Sequence, residues 1–297
     1  MSKVKEEIIK NWSHFVYVVD VAMGTFNGDP DNDGIQRMDI ETGHGYATDS
    51  CLKRIIRDYI LRVYAAQPGY DIFIKRQAVL NEVIAHVAKE LGFDENVKLK
   101  NGEAKQVLDE LCRRFVDLRA FGGVLSVGIL SKAGNAGLTG VVQPGVGWTV
   151  NPIMPLDDCI APNAVHTLKE SEAQEGVNRS MGNRSGVRYA PFVFKGSVDP
   201  SRAAVTGMTE KDLAMVWEAM VKGPEFLRSQ FRGQVSAQKL VLFKHDSPLG
   251  NCRAHDLYKR VSIKKSSPEK PAWSWEDYDF SVDLEGLPEG ITFEELL

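Results

Sequence analysis

Nowhere does the chain hold an apolar run long enough to cross a bilayer. The longest candidate, residues 121–130, is short and contains three glycines, so no spanning helix is expected. The first twelve residues, MSKVKEEIIKNW, are charged and lack the apolar stretch of a secretory leader. Cysteine is scarce. Cys51, Cys112, Cys159 and Cys252 lie far apart without a CxxC pair, which argues against a disulfide framework and fits a reducing cytoplasm. Catalytic signatures are missing too. There is no Walker A motif, no GxGxxG, no HExxH and no GxSxG, and the six histidines stand in no triad-like context. No nucleophile with its base is apparent, and no repeat or heptad organises the sequence.

What remains is an ordinary globular composition over 297 residues, 43% apolar and 26% charged. The formal net charge of −4 is unfavourable for a polyanion ligand, but its distribution is not. Residues 269–297 hold nine acids against one base, Lys270, a net −8; residues 1–268 therefore carry +4. Two stretches have no acid at all. Residues 118–156 contain Arg119 and Lys132, and residues 176–198 contain Arg179, Arg184, Arg188 and Lys195. A polyanion responds to local potential rather than to the whole-chain sum.

Residues 14–21 (HFVYVVDV) are β-branched and aromatic on both faces and predict a central strand. Residues 23–44 form a Gly/Asp/Asn-rich loop. Thr48 or Asp49 then caps a helix reaching about Tyr64, with Leu52, Ile55, Ile56, Tyr59, Ile60 and Val63 on one stripe and Lys53, Arg54 and Arg57 on the other side. Two further amphipathic helices are expected over residues 74–91, ending at Gly92, and 103–115. Gly-punctuated strands follow over 117–150, with a hairpin around 132–140. Residues 151–175 are Pro-rich and expected to be irregular. A strand is predicted at 187–198, a helix after the capping box that begins at Thr209, and a last core strand at 236–245. The tail beyond Ser266 is expected to wrap the surface. Without its insertions the order approximates βαββαβ, an α+β fold of ferredoxin-like or RRM-like type, whose sheet face is a common RNA platform.

Two constellations invite a metal. Asp29-Pro-Asp31-Asn-Asp33-Gly34 matches the start of a calcium loop, but the twelfth position is Ile40 and a strand, not a helix, precedes it. The same carboxylates are those a metal-dependent nuclease would need, whereas Asp and Asn bonding their own backbone in a turn is the simpler reading. His245, Asp246, Cys252, His255 and Asp256 lack the tight paired spacing of a zinc site and read as a polar loop. The stronger feature is the glycine loop joined to a basic helix. Glycine permits close backbone approach to a phosphate, a helix N-terminus offers free N–H groups, and Lys53, Arg54 and Arg57 add charge with no acid between residues 50 and 57.

At these residues the sequence resembles a known family. The run FNGDPDNDGIQRMDIETGHGYATDSCLKRIIRDY (residues 26–59) is similar to the N-terminal signature of the CRISPR Cascade backbone subunit, type I-C branch, of the repeat-associated RNA-binding superfamily. Further matches follow in order: DLRAFGGVLS (117–126), GLTGVVQPG (137–145), NRSMGNRSGVRYAPF (178–192) and KLVLFKHDSPLGNCRAH (239–255). The resemblance implies a single discontinuous domain. An RRM-derived palm would occupy about 12–64, 117–150 and 187–265, a helical fingers insertion about 67–116, a thumb-like insertion about 151–190, and an acidic wrapping tail 266–297.

It also implies a non-catalytic subunit that polymerises along crRNA, each thumb reaching over a neighbour and displacing one guide base at intervals, while the guide pairs with target DNA. Its partners would be crRNA, copies of itself and other Cascade subunits, with no cofactor, metal or membrane. Asn27, Gly28, Ser50, Lys53 and Arg54 match the family's guide-backbone contacts, and Arg119 to Gly122 and Gly123 its Gly-rich strand beside the RNA. Arg179, Met181, Arg184 and Arg188 fall in or beside the thumb, Met181 as an apolar wedge between bases. Arg37, Arg57 and Lys132 complete the expected contacts. Residues 67–116 match less closely. Type III relatives cut target RNA with an Asp in a comparable loop, whereas Asp31 and Asp33 are expected to be silent. The alternatives are a metal-dependent ribonuclease using Asp29, Asp31 or Asp33, and a calcium-regulated or small-ligand interaction protein without RNA.

Overall fold

The computed structural model describes residues 7–94, 98–125, 128–130, 137–160, 182–227 and 232–297, with only the backbone for 157–160 and 182–184. The expected central strand is β1 (Ser13–Gly24), buried from Ser13 to Val21. The chain then forms β2 (His44–Ala47), α1 (Asp49–Val63), α2 (Leu80–Glu90), α3 (Asn101–Arg114) and α4 (Val116–Phe121). Five short strands follow: β3 (Gly122–Val124), β4 (Gly137–Thr139), β5 (Val142–Pro144), β6 (Gly147–Pro152) and β7 (Pro155–Ile160). The long β8 (Gly182–Val198) leads to α5 (Pro200–Thr206), α6 (Glu210–Lys222) and β9 (Gln234–His245). Last come α7 (Ala254–Tyr258), β10 (Val261–Lys265), β11 (Tyr278–Val282) and β12 (Ile291–Glu295).

The result is an α+β fold around an antiparallel sheet of order β12-β9-β1-β8-β6-β2, with β5 and β7 also pairing with β8. Strand alternation sorts β1 between two layers. Phe15, Tyr17, Val19 and Val21 enter the main core with Leu52, Ile55, Ile56 and Ile60 of α1 and Val216 and Met220 of α6. Each such side chain contributes about 1.5–3 kcal/mol on burial. The Tyr17 hydroxyl stays satisfied inside by donating to the Met220 carbonyl at 2.6 Å. On the other face Val16, with Val241 and Phe243 of β9, packs under Leu257 of α7 and the β10–β11 hairpin. A separate core joins α2, α3 and Phe73, Phe115 and Leu118.

Several expectations change. The helix predicted from residue 74 starts at Leu80, because the Asp117 carboxylate takes the N–H groups of Phe73 (2.7 Å) and Ile74 (3.1 Å) and holds that stretch out of helix. Residues 117–121 are helical, not strand. Val116, Leu118, Ala120 and Phe121 are buried all round, and periodicity does not separate a short buried helix from a buried strand. A hairpin-like pairing does follow, but between β3 and β4. Residues 155–160, expected to be irregular, are a strand on β8, and β8 begins five residues earlier than predicted. The tail forms β11 and β12, and β12 extends the sheet beyond β9. Lys239 meets Glu295 at 2.7 Å, and Lys244 pairs with Glu294, so the acidic tail is held by this chain's own cations. The C-terminal segment thus covers the β9-β1-β8 part of the face expected to be an open RNA platform.

Candidate nucleic-acid interface

The loop between β1 and β2 folds on itself. Gln36, buried, accepts from the Phe26 and Asn27 N–H groups (both 3.0 Å) and donates to the Arg37 and Tyr46 carbonyls. A Cβ on Gly28 would meet the Gly34 carbonyl oxygen at 2.4 Å, so this glycine serves the loop's own close packing. Asp29 accepts from the Asp31 N–H and pairs with Arg37 at 3.2 Å. The aspartates therefore sit in a self-bonded turn, as the simpler reading had it. The helix N-terminus is likewise capped from within. Thr48 accepts from the Cys51 N–H, and Asn27 accepts from both the Thr48 N–H (2.9 Å) and its hydroxyl.

The basic residues of α1 divide. Lys53 pairs with Asp49 and Arg54 with Asp58, both at 2.8 Å in i,i+4 geometry, so the acids just outside the acid-free run take both cations. Burial raises the Asp49 carboxyl, but the hydrogen bond and charge of Lys53, with the Ser50 N–H, outweigh it and hold it below the usual range. Ser50 is exposed beside them. Arg57 does not project to solvent as expected: it is buried and bonds Asp117 at 2.8 Å. Arg119 is likewise buried, on α4 rather than a strand. It bonds Asp212 through two nitrogens (2.8 and 3.0 Å) and the Cys112 and Gly69 carbonyls. Gly122 has φ +69°, and a Cβ there would meet the Leu138 carbonyl oxygen at 2.0 Å, so it permits the β3–β4 approach rather than facing a ligand. Gly123 lies next to it in β3 against Leu118.

Arg188 is exposed on β8 with its guanidinium over the Trp273 ring at 4.5 Å. Lys132, Arg179 and Met181 lie outside the described residues, as does the Arg184 side chain, whose backbone pairs with Asp158. At the other end of the chain His245 accepts from the Asn251 N–H and Asp256 is taken by Arg253. Among the described residues no group of three or more His, Cys, Asp or Glu is placed to hold a metal, and no helix is long and apolar enough to cross a membrane.

Among the described residues, Arg37 Nε, Arg232 Nη1 and Ser185 Oγ are buried atoms with no hydrogen-bond partner, as are Asn151 Oδ1, Thr206 Oγ1 and His245 Nε2 elsewhere. The first three lie on neighbouring segments at one end of the sheet. The Arg232 backbone abuts Gly24, the Ser185 carbonyl accepts from the Thr25 hydroxyl at 2.8 Å, and the charges of both guanidiniums act on Cys51 in the first turn of α1. Burial pushes the Cys51 thiol up to about 11, while the charge and hydrogen bond of Arg232 and the charge of Arg37 oppose that rise. Buried N–H donors left unpaired are costly unless something accepts from them, and a guanidinium suits an anion. Arg232 was not singled out in the sequence; its only local sign is an Arg-Gly pair at the mouth of β9.

Over residues 11–283 the sequence matches the family model for CRISPR-associated protein Cas7. The chain belongs to the Cas7 family. A curated relative, the CRISPR-associated protein Cas7 of Haloferax volcanii, is 24% identical over 228 residues, 71% of this chain and 64% of the relative. This Cas7 chain thus spans less than two thirds of that relative's length. Among solved structures it is similar to a chain of a CRISPR RNA-guided surveillance complex, pre-nicking (TM-score 0.49, 12% identity, 78% of each chain). It is also similar to a chain of another CRISPR RNA-guided surveillance complex (TM-score 0.42, 13% identity, 78% of this chain and 68% of that one).

Proposed function

We propose that this Cas7 chain is a non-catalytic crRNA-binding backbone subunit of a type I-C Cascade complex, polymerising with copies of itself along the guide and supporting its pairing with target DNA. The observation that carries the RNA contact is the pair of guanidiniums with unpaired buried nitrogens, Arg37 and Arg232, at the first turn of α1. A phosphate seated there would accept from both and complete the shell that the protein leaves open. Lys53, Arg54 and Ser50 flank that point, and Asn27 and Gly28 shape it. In this reading Arg57 and Arg119 brace the framework instead of touching RNA. The sheet with α1 and α6 serves as an RRM-like palm, α2 and α3 as fingers, and residues 151–190 as the thumb region. Arg179, Met181, Arg184 and Arg188 remain its proposed contacts, and Lys132 an outlying one.

The test is binding of single-stranded RNA by the full chain across a salt series. Arg37→Ala with Arg232→Ala should weaken binding about tenfold or more, without base preference, and flatten the slope of log K against log salt by about 1.4. An unchanged slope in a folded double variant would reject this phosphate site. Periodic magnesium-dependent cuts in a complementary RNA, removed by Asp33→Ala, would reject the non-catalytic reading.

A further inference from the structure

A second feature of the same end of the sheet lies outside that phosphate site. β2 is the outermost strand beside β6, and Ala47 and Gly147, opposite each other, face the main core: Ala47 is buried there, and a Cβ on Gly147 would strike the Phe194 ring. Alternation then turns Tyr46 and Trp148, also cross-strand partners, to the opposite face. Their rings lie 5.5 Å apart at 42°, with Trp148 46% exposed. Trp148 pairs in register with Val193 of β8, at the border of the layer covered by the C-terminal segment. That segment ends over β8, where Tyr278 meets Tyr189 and Trp273 meets Arg188. The β6–β2 strip of this face therefore keeps an aromatic pair open to solvent, although the indole could have been covered as Phe293 and Phe280 are.

The pair sits next to the proposed phosphate site. The Tyr46 N–H donates to the Arg37 carbonyl at 2.9 Å, and Tyr46 is two residues, at most about 7 Å of chain, from the α1 cap Thr48. We propose that Tyr46 and Trp148 form a stacking platform for an unpaired base of single-stranded RNA whose backbone phosphate lies at Arg37 and Arg232. The proposal rests on the RNA-binding reading above and adds a base site to it. Stacking accepts any base face, so the platform gives affinity without sequence preference.

The full chain, freed of nucleic acid, is titrated with a short single-stranded RNA and with the same RNA carrying abasic sugars. Wild type should prefer the base-bearing strand. Trp148→Ala should remove that preference, a loss of about tenfold given the usual contribution of one stacked base, whereas Trp148→Phe should retain most of it and binding of the abasic strand should not change. Tyr46→Phe should behave as wild type. If wild type binds both strands and Trp148→Ala keeps the preference, the platform is overturned and the phosphate site stands. If Trp148→Ala instead alters only self-association in sedimentation, the strip is a protein contact and the platform is overturned. If wild type binds neither strand, the RNA reading falls and the platform with it.

Discussion

Two arginine-bearing regions of the molecule adjoin α1, and they are built on opposite plans. At the junction of α1, α4 and α6 two buried acids receive the guanidiniums: Asp117 accepts from Arg57 and from the Phe73 and Ile74 N–H groups, and Asp212 holds Arg119 in a two-nitrogen pair. At the sheet end by Cys51, Arg37 and Arg232 each keep a buried nitrogen without a partner among the described residues. A satisfied buried pair fixes the fold and offers nothing to a ligand. An unsatisfied one is tolerated where an outside acceptor completes it. The same residue type thus serves as framework in one place and, in the function proposed above, as interface in the other, with burial and partner count, not charge, separating the two.

The sharpest way to break this contrast is Asp117→Ala. It strands a buried guanidinium and two backbone N–H groups and should cost about 3–5 kcal/mol, read as a lower urea midpoint with unchanged slope. RNA affinity per folded molecule should hold. A loss below about 1 kcal/mol would mean that water reaches Arg57 and that the junction is not the closed framework described.

Next in size is the Arg37→Ala, Arg232→Ala pair, which should do the reverse: RNA binding weakens about tenfold or more while stability moves little, since neither guanidinium gives up a full hydrogen-bond shell within the chain. Lys53→Glu with Arg54→Glu should fall between the two outcomes. Both side chains already have i,i+4 partners, so their reversal weakens RNA binding through the local potential, but less than loss of the two arginines with an open buried nitrogen does. Equal effects from the two double variants would erase the distinction between cations met within their own helix and arginines that keep a nitrogen open.

The contrast also shows how much the sequence could tell. Hydrophobic patterning located β1, α1, α6 and β9, because each has one face, or both, in a core. The capping residues Thr48 and Thr209 fixed two helix starts. The loop and α1 were recognisable as the likeness to Cas7, since that run is contiguous in the chain. What was not legible is long-range pairing. The partners of Arg57 and Arg119 lie 60 and 93 residues away, so no local pattern could separate them from Lys53 and Arg54. Arg232 comes beside Gly24 only because β9 runs beside β1, and the tail became a strand by pairing its backbone with β9, where Ile291 and Phe293 join that layer's core.

The smallest effect tests the contrast at the surface. Glu110 of α3 bonds Arg113 and Arg114 (2.6 Å each), and these contacts, Arg113 first, hold its carboxyl down at about 2 against the opposing pull of burial. A folded-state value below the unfolded one means that the unfolded chain binds the proton first as pH falls. The stabilisation is therefore present above the ordinary glutamate range near 4.5 and is lost on acidification towards about 2. Arg113 is well exposed, so solvent screens the pair and Glu110→Gln should cost about 1 kcal/mol or less at neutral pH. The variant's stability should converge with wild type as pH falls to about 2, and in high salt. A larger loss, insensitive to salt, would place Glu110 among the framework acids with Asp117 and Asp212, and would show that partner count rather than burial sets the strength of these pairs.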